Sequence, residues 1–568
     1  MSDRKRLPIG FDDFKQVIED NRYYVDKTSL IEYIKEKGGK VNLFTRPRRF
    51  GKTLNMNMLY HFFRIGGNPE LFNGLHISKN KALCEEWQNQ FPTVFMTLKG
   101  VEGSTFELAQ QALVRLIEKV ATSFDFLEKS NKLELTDKEN YLELKKIRHC
   151  DSFKKQNDLI IHSLSILSEL LYKHYGKNTI FIIDEYDVPL DKAEQNGYFK
   201  DMISLIRGMF NNAFKTNPYL EAAYLTGCLR IAKESIFTGM NNFQVFSISD
   251  EEASEFFGFT EEEVKALFDY YKVSARFDDC QKWYDGYVFG KQEVYCPWDA
   301  ILFCNALDTD INVFPRCYWA NTSGNSIVRN LLEKADYSIK QELEELVAGG
   351  VVSKKIKHEL TYQDLYKTTE NIWSVLYCTG YLTSVGKTSD TDFLLRIPNR
   401  EIRVIYEEQI MEWLKETFKT SKQPLLNELY DGIYDGNAEK VEKAFTEILE
   451  ESISVRDSMA QKDYKENFYQ GLLIGLLTPN NKRLVVESNR ESGNGYPDLI
   501  LYTRNYSIGI IIELKYSESP KKLQEALDEG MKQIDNNRYV KIFDDEDAYV
   551  VRKFVIACHK KRCKVAVK

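Results

Sequence analysis

No stretch of this 568-residue chain approaches the roughly 18 uninterrupted apolar residues of a membrane-spanning helix. The opening residues, MSDRKRLPIGFDDF, lack the apolar core of a secretory leader. Ten cysteines form no CxxC pair, and the nearest approach, Cys558 with Cys563, has no partner cluster to complete a zinc site. Internal repeats and low-complexity tracts are missing too. These absences argue against a membrane protein, a disulfide-framed secreted domain and a zinc module. The expectation is a folded cytoplasmic chain with reduced thiols and no membrane partner.

Positive charge is not in excess either. The formal net charge is −8, which advertises no nucleic-acid binder. From Gln461 onward, however, Lys and Arg outnumber Asp and Glu by 19 to 15. An acidic body with a mildly basic end is compatible with nucleic acid without requiring it. The closing HKKRCKVAVK reads as a solvated basic terminus. With 43% hydrophobic and 29% charged residues, the composition is that of folded protein. At 66.3 kDa it is too large for one core, and roughly two to four domains are expected.

The pattern along the chain alternates. KVNLFTRP, FPTVFMTL, NTIFIIDEYD and LEAAYLTGCLR read as strands, and GKTLNMNMLYHFF reads as a helix with Leu54, Met58, Leu59 and Phe62 on its apolar side. A long helical region is expected from about residue 104 to 175, interrupted near NKLELTDKEN. Alternation of this kind predicts an α/β domain, residues 1–315, with a largely parallel sheet covered on both faces. A mixed α/β connector is expected over 316–420. Helices then lead into RLVVES, PDLILY, SIGIIIELKY, a helix at KKLQEALDEGMKQIDNN and a last strand VRKFVIACH. That order, α-β-β-β-α-β, predicts a compact unit over 421–568.

Two places carry chemistry. In LFTRPRRFGKT, Gly51, Lys52 and Thr53 lie between a strand and a helix, where a phosphate-binding loop ends. Backbone N–H groups and the helix dipole would cradle phosphate there, Lys52 would reach the outer phosphates, and the Thr53 hydroxyl would hold Mg²⁺. Arg46 stands where such a loop opens with glycine, and Pro47 removes one N–H. Downstream, TIFIIDEYD runs from buried strand into Asp184 and Glu185. At the C-terminal end of a parallel strand, Asp184 is placed to hold Mg²⁺ and Glu185 to polarise an attacking water. Thr226 occupies the place of a γ-phosphate sensor and Arg230 that of a charge stabiliser.

The second place is GYPDLILYTRNYSIGIIIELKYS. Asp498 opens one strand, after a turn expected at GNGYPD, and Glu513 and Lys515 share a face of the next. Two carboxylates there suit Mg²⁺ or Mn²⁺, which activates water and neutralises charge on phosphate, with the lysine supporting the transition state. Glu466 on the preceding helix offers a third carboxylate. Glu487 and Gln533 are further candidates for the same pocket. The competing reading is a surface ion pair between Glu513 and Lys515.

The N-terminal half resembles the AAA-ATPase-like family of bacterial and archaeal genomes, on YYVDKTSLI, RPRRFGKT, FIIDEYD, ESIFTGMNNF, WYDGYVFG and YWANTS. The C-terminal half resembles the PD-(D/E)xK nuclease-like domain that commonly follows it. The resemblance implies a P-loop NTPase fold with ATP as ligand and a restriction-endonuclease-like fold behind it. It also implies that an arginine-rich loop before GKT is the usual form, so that Arg46 marks a variant loop. Lys52, Thr53, Asp184 and Glu185 fall on the nucleotide motifs; Asp498, Glu513, Lys515 and Glu466 fall on the nuclease motif. Cys296 departs from an expected asparagine, outside the chemistry. The expected function is ATP binding and hydrolysis coupled to Mg²⁺-dependent cleavage of nucleic acid, DNA foremost. The alternative is a nucleotide-switched interaction protein that does not cut. Homo-oligomerisation is left open.

Overall fold

The computed structural model describes residues 4–150, 152–229, 243–319, 337–357, 368–409, 423–452, 462–477, 483–488, 496–503, 507–544 and 550–568. The chain divides into two compact units. The first comprises Met1–Trp319, Lys355–Phe393 and Pro398–Arg400; the second comprises Ala320–Lys354, Leu394–Ile397 and Glu401–Lys568. The stretch expected as a connector therefore contributes to both. Among the described residues no helix is long and apolar enough to cross a membrane.

The first unit is built on five strands, β1 (Val41–Thr45), β2 (Thr93–Thr97), β3 (Thr179–Asp184), β4 (Leu220–Gly227) and β5 (Phe243–Phe246), in the order β2-β3-β4-β1-β5. Every pair is parallel. All residues of β1 and β3 are buried, as expected for strands covered on both faces. Helix α1 (Lys52–Phe63) seats Met58, Leu59 and Phe62 in one core with Phe44, Ile180, Ile182 and Tyr224. A fully buried Leu or Phe of this kind contributes about 1.5–3 kcal/mol over an exposed one. Strand β5 was not expected. It is four residues long and follows ESIFTGMNNF, most of which lies outside the described residues.

The helical region differs from expectation. It is three helices, α2 (Phe106–Thr122), α3 (Leu135–Lys145) and α4 (Phe153–Tyr175), and α3 begins inside the stretch read as an interruption. Glu134 and Asp137 form a reciprocal capping box that starts it there, so the acids of that polar stretch begin a helix.

In the second unit, β6 (Leu484–Ser488), β7 (Leu499–Thr503), β8 (Ile508–Tyr516), β9 (Val550–His559) and β10 (Arg562–Val567) form one sheet in sequence order. Only β8 and β9 run parallel. Helix α5 (Lys462–Leu477) precedes the sheet, and α6 (Leu523–Asn536) packs Leu523, Ala526, Leu527 and Ile534 on Ile511, Val555 and Ala557. Gly530 permits that approach, since a Cβ there would lie 2.5 Å from a Val555 methyl. The basic terminus is corrected: residues 562–567 are strand β10, paired antiparallel with β9. Its alternation places Cys563 and Val565 inward while Arg562 and Lys564 stay exposed.

Candidate active sites

In the first unit, β1, β3 and β4 bring Thr45, Asp184 and Gly227 to one edge of the sheet. The loop after β1 takes a left-handed conformation at Arg49 (φ 72°) and again at Gly51 (φ 78°), which caps α1. A Cβ on Gly51 would meet nothing within 4 Å, so glycine is needed there for its backbone angle and not for space. Lys52 is buried, and its Nζ reaches back across the loop to the carbonyls of Arg46 (3.1 Å) and Pro47 (3.0 Å). Thr53 Oγ1 donates to Asp184 Oδ2 at 2.8 Å, and Thr226 Oγ1 donates to Oδ1 at 2.5 Å. One buried carboxylate thus joins the end of β3 to β4 and to the first turn of α1. Burial pushes the Asp184 carboxyl upward, and neighbouring Glu185 adds to that; both threonines and Lys52 oppose it. Glu185 is half-buried with φ 54°, a costly conformation for a residue with a side chain.

Arg46 does not face this site. Its side chain is fully buried, with Nη1 donating to the carbonyls of Thr45 (2.9 Å) and Phe246 (2.7 Å) and Nη2 to that of Ala253 (3.0 Å). Burial lowers its pKa to about 10, yet it remains charged at neutral pH. It is a strut that ties the start of the loop to β5 and the turn beyond it. Phe50 anchors the other end of the loop, edge-on to Tyr287 with ring centroids 5.0 Å apart. Arg230 lies outside the described residues.

In the second unit, the antiparallel register that sets Leu499 against Ile512 carries Asp498 opposite Glu513. Leu514 N–H donates to Asp498 Oδ2 at 2.7 Å. Glu513 is 2% exposed; its Oε1 accepts from Lys515 Nζ at 2.9 Å. Among the described residues its Oε2 finds no hydrogen-bond partner. Burial, then the nearby Asp498, pushes the Glu513 carboxyl up to about 7. Burial raises Asp498 as well, against the Leu514 N–H. For Lys515 burial works against the charge, and Glu513 more than offsets it. A solvated surface pair would behave differently, so the competing reading of Glu513 and Lys515 is set aside. On α5, Glu466 Oε1 accepts from Tyr516 N–H at 2.9 Å.

Residues 8–237 match the family model described as a predicted AAA-ATPase, and residues 464–568 match the PD-(D/E)XK nuclease superfamily. The chain joins an AAA-ATPase-like domain to a PD-(D/E)XK nuclease domain. A protein of Azotobacter chroococcum mcd 1, described as an uncharacterized protein in the vnfD 5' region, is 26% identical over 450 residues. The match covers 78% of this chain and 77% of that one.

Whether the PD-(D/E)XK domain fits a divalent cation is decided by its donors. Among the described residues no group of three or more His, Cys, Asp or Glu is spaced to hold a metal ion. A hard cation needs only one or two carboxylates when water completes its shell. Asp498 and Glu513 meet that requirement, since each has one oxygen pinned within the chain and one left over. The unsatisfied buried oxygen of Glu513 is costly without a partner, and a cation would supply one. Glu487 accepts instead from Tyr502 OH (2.7 Å), and Gln533 donates to Tyr539 OH (3.3 Å).

Sequence reasoning missed Gln470. One turn beyond Glu466 on the same face of α5, its Nε2 donates to the Asp498 carbonyl at 3.1 Å. The two side chains therefore hold β7 and β8 from one helix. The i, i+4 spacing in KENFYQ was the available signal. Gln470→Ala should weaken Mn²⁺ binding by about tenfold or more, as loss of outer support for a metal ligand does. Calorimetric titration checks this, and an unchanged midpoint would release Gln470 from that role.

Asp187 in the AAA-ATPase-like domain was also missed, although FIIDEYD displays it. Its Oδ2 accepts from the N–H groups of Cys228 (2.7 Å) and Leu229 (3.0 Å), just past β4. Gly227 lets the two turns interlock: a Cβ there would lie 2.5 Å from the Tyr186 ring and 2.8 Å from Asp187 Cγ. Gly227→Ala should destabilise the domain by about 1–3 kcal/mol. Thermal melting would read that loss, and a melting temperature equal to wild type would show that the turn yields freely.

Proposed function

We propose that the chain is an ATP-binding and ATP-hydrolysing protein whose C-terminal domain cleaves nucleic acid, DNA foremost, with Mg²⁺ or Mn²⁺ and under nucleotide control. The observation that carries the nuclease reading is Glu513, buried with one oxygen on Lys515 and the other bare, directly across the register from Asp498. The ATPase reading is supported by the Thr53–Asp184–Thr226 chain beside Lys52. The proposed boundaries fall near residues 315 and 420.

In the ATPase, Lys52 would exchange the Arg46 and Pro47 carbonyls for the outer phosphates. Thr53 and Asp184 would hold Mg²⁺, Thr226 would sense the γ-phosphate, and Glu185 would orient the attacking water, with Arg230 as charge stabiliser. In the nuclease, Asp498 and Glu513 would hold the cation, with Glu466 at its edge. The cation supplies charge neutralisation at the scissile phosphate and a lowered pKa for the attacking water. Lys515 would donate to the phosphate oxygens as charge develops.

Cleavage of plasmid and single-stranded DNA with Mg²⁺ or Mn²⁺, with and without ATP, tests this. Glu513→Ala should abolish cutting, and Lys52→Ala should abolish any effect of ATP. A second reading is a nucleotide-switched interaction protein that binds without cutting. ATP binding with no cleavage under any condition would select it.

A further inference from the structure

The loop RPRRFGKT carries three arginines, and they have three different fates. Arg46 is the buried strut, spent on the carbonyls of Thr45, Phe246 and Ala253. Arg49 turns away from the loop, its Nη1 donating to the Tyr318 carbonyl at 2.8 Å and its guanidinium 4.6 Å from the Trp298 ring centroid. Arg48 alone of the three is exposed. Its guanidinium hydrogen-bonds the Cys228 side chain and feels Cys228, Glu185 and Asp191 as its stabilising neighbours; these outweigh the desolvation that works against its charge.

Cys228 is the informative partner. Its Sγ also lies 3.7 Å from Lys52 Nζ. A lysine and an arginine of one phosphate-binding loop thus converge on a single weak acceptor, two residues past Thr226. The thiol marks a place that both cations of the loop reach. A phosphate oxygen in its place would satisfy both, and guanidinium presents a planar fork suited to that geometry. Burial pushes the Cys228 thiol up to about 12, against the opposing pull of Lys52 and Arg48 beside it.

The geometry points to Arg48 as a further catalytic residue of the ATPase, a loop-borne arginine that moves from Cys228 onto the γ-phosphate. The inference rests on the nucleotide reading of this site. In the step it serves, water oxygen bonds to the γ-phosphorus and the bond to the β–γ bridging oxygen breaks. That bond's electron pair leaves with ADP, and the water's proton passes through Glu185 to solvent. Charge grows on the equatorial and leaving oxygens, where a guanidinium is most effective.

The test uses the full-length wild type, Arg48→Ala and Arg48→Lys, all checked for equal melting temperature, with Mg²⁺ present. Phosphate release gives the hydrolysis rate, and titration calorimetry gives ATP and ADP affinities. Arg48→Ala should lower kcat by about 100-fold. It should also lose the wild type's preference for ATP over ADP, while ADP affinity stays within a few-fold. Arg48→Lys should recover part of the rate, because charge returns without the fork. Hydrolysis and ATP preference equal to wild type in Arg48→Ala would overturn the role of Arg48 while leaving the ATPase reading intact. So would an ADP affinity that falls as far as the rate, since that marks a loop-shaping residue. Failure of the wild type to bind ATP at all would overturn the nucleotide reading and this inference together.

Discussion

Glu513→Gln protein should fold at least as well as wild type in the absence of metal, yet cut nucleic acid about 100-fold or more slowly. The two halves of that expectation have one cause. Glu513 sits buried beside Asp498 with an oxygen that has no hydrogen-bond partner among the described residues, so its ionised form is penalised. The amide keeps an acceptor for Lys515 and removes the charge. The substitution that stabilises the fold without metal is therefore expected to remove the proposed cation site.

The pH dependence has a definite sign. The folded pKa of Glu513, about 7, lies above its ordinary value of 4.5. Its contribution to stability is then fully present below about pH 4.5 and is lost as pH rises through about 7. Metal-free wild type should lose stability relative to Glu513→Gln across that window. Taking the difference between the two proteins cancels other raised acids, Asp187 among them. Divalent cation should restore the wild type above pH 7 and leave the variant unchanged. Thermal melts at several pH values, with and without Mn²⁺, read all of this. A variant that melts in parallel with wild type at every pH would mean that Glu513 is not held in its penalised state.

The second large effect is expected at Lys52. Its ammonium is buried; desolvation works against the charge, and Cys228, Glu185, Asp184 and Asp187 outweigh that, so it stays protonated through the neutral range. If Lys52 holds the phosphates as proposed, removing this buried cation should weaken ATP binding by about 100-fold or more. Lys52→Ala also takes away the donor that spans the Arg46 and Pro47 carbonyls. Lys52→Arg separates the two effects, since it keeps a charge of the wrong shape. Calorimetric titration with Mg·ATP checks both variants. An Lys52→Ala protein with wild-type affinity would remove the loop from nucleotide binding altogether.

Much of this arrangement was legible in the sequence because strand ends carry polar signals on apolar runs. TIFIIDEYD announces both a buried strand and the acid at its end, and IGIIIELKY does the same for Glu513 and Lys515. Less visible was anything fixed by a partner distant in sequence. The acceptors of Arg46 lie 200 and 207 residues away, so an arginine at a glycine position could only look like a departure. Gln470 reaches across 28 residues to a backbone carbonyl, and polar side chains on a helix seldom reveal which carbonyl they face. The last strand was missed because alternating Lys and Arg mask a period of two that the inward Cys563 and Val565 keep.

Arg46 has a consequence for how such loops are recognised. A search keyed to glycine at the loop's opening discards this chain, and an engineer would be tempted to restore that glycine. The restoration would strip the side chain that joins three carbonyls, those of Thr45, Phe246 and Ala253, and leave a void where the guanidinium stood. In this loop the opening position trades suppleness for a keystone. For this chain the loop is better described by what its buried end must hold up than as a string of small residues.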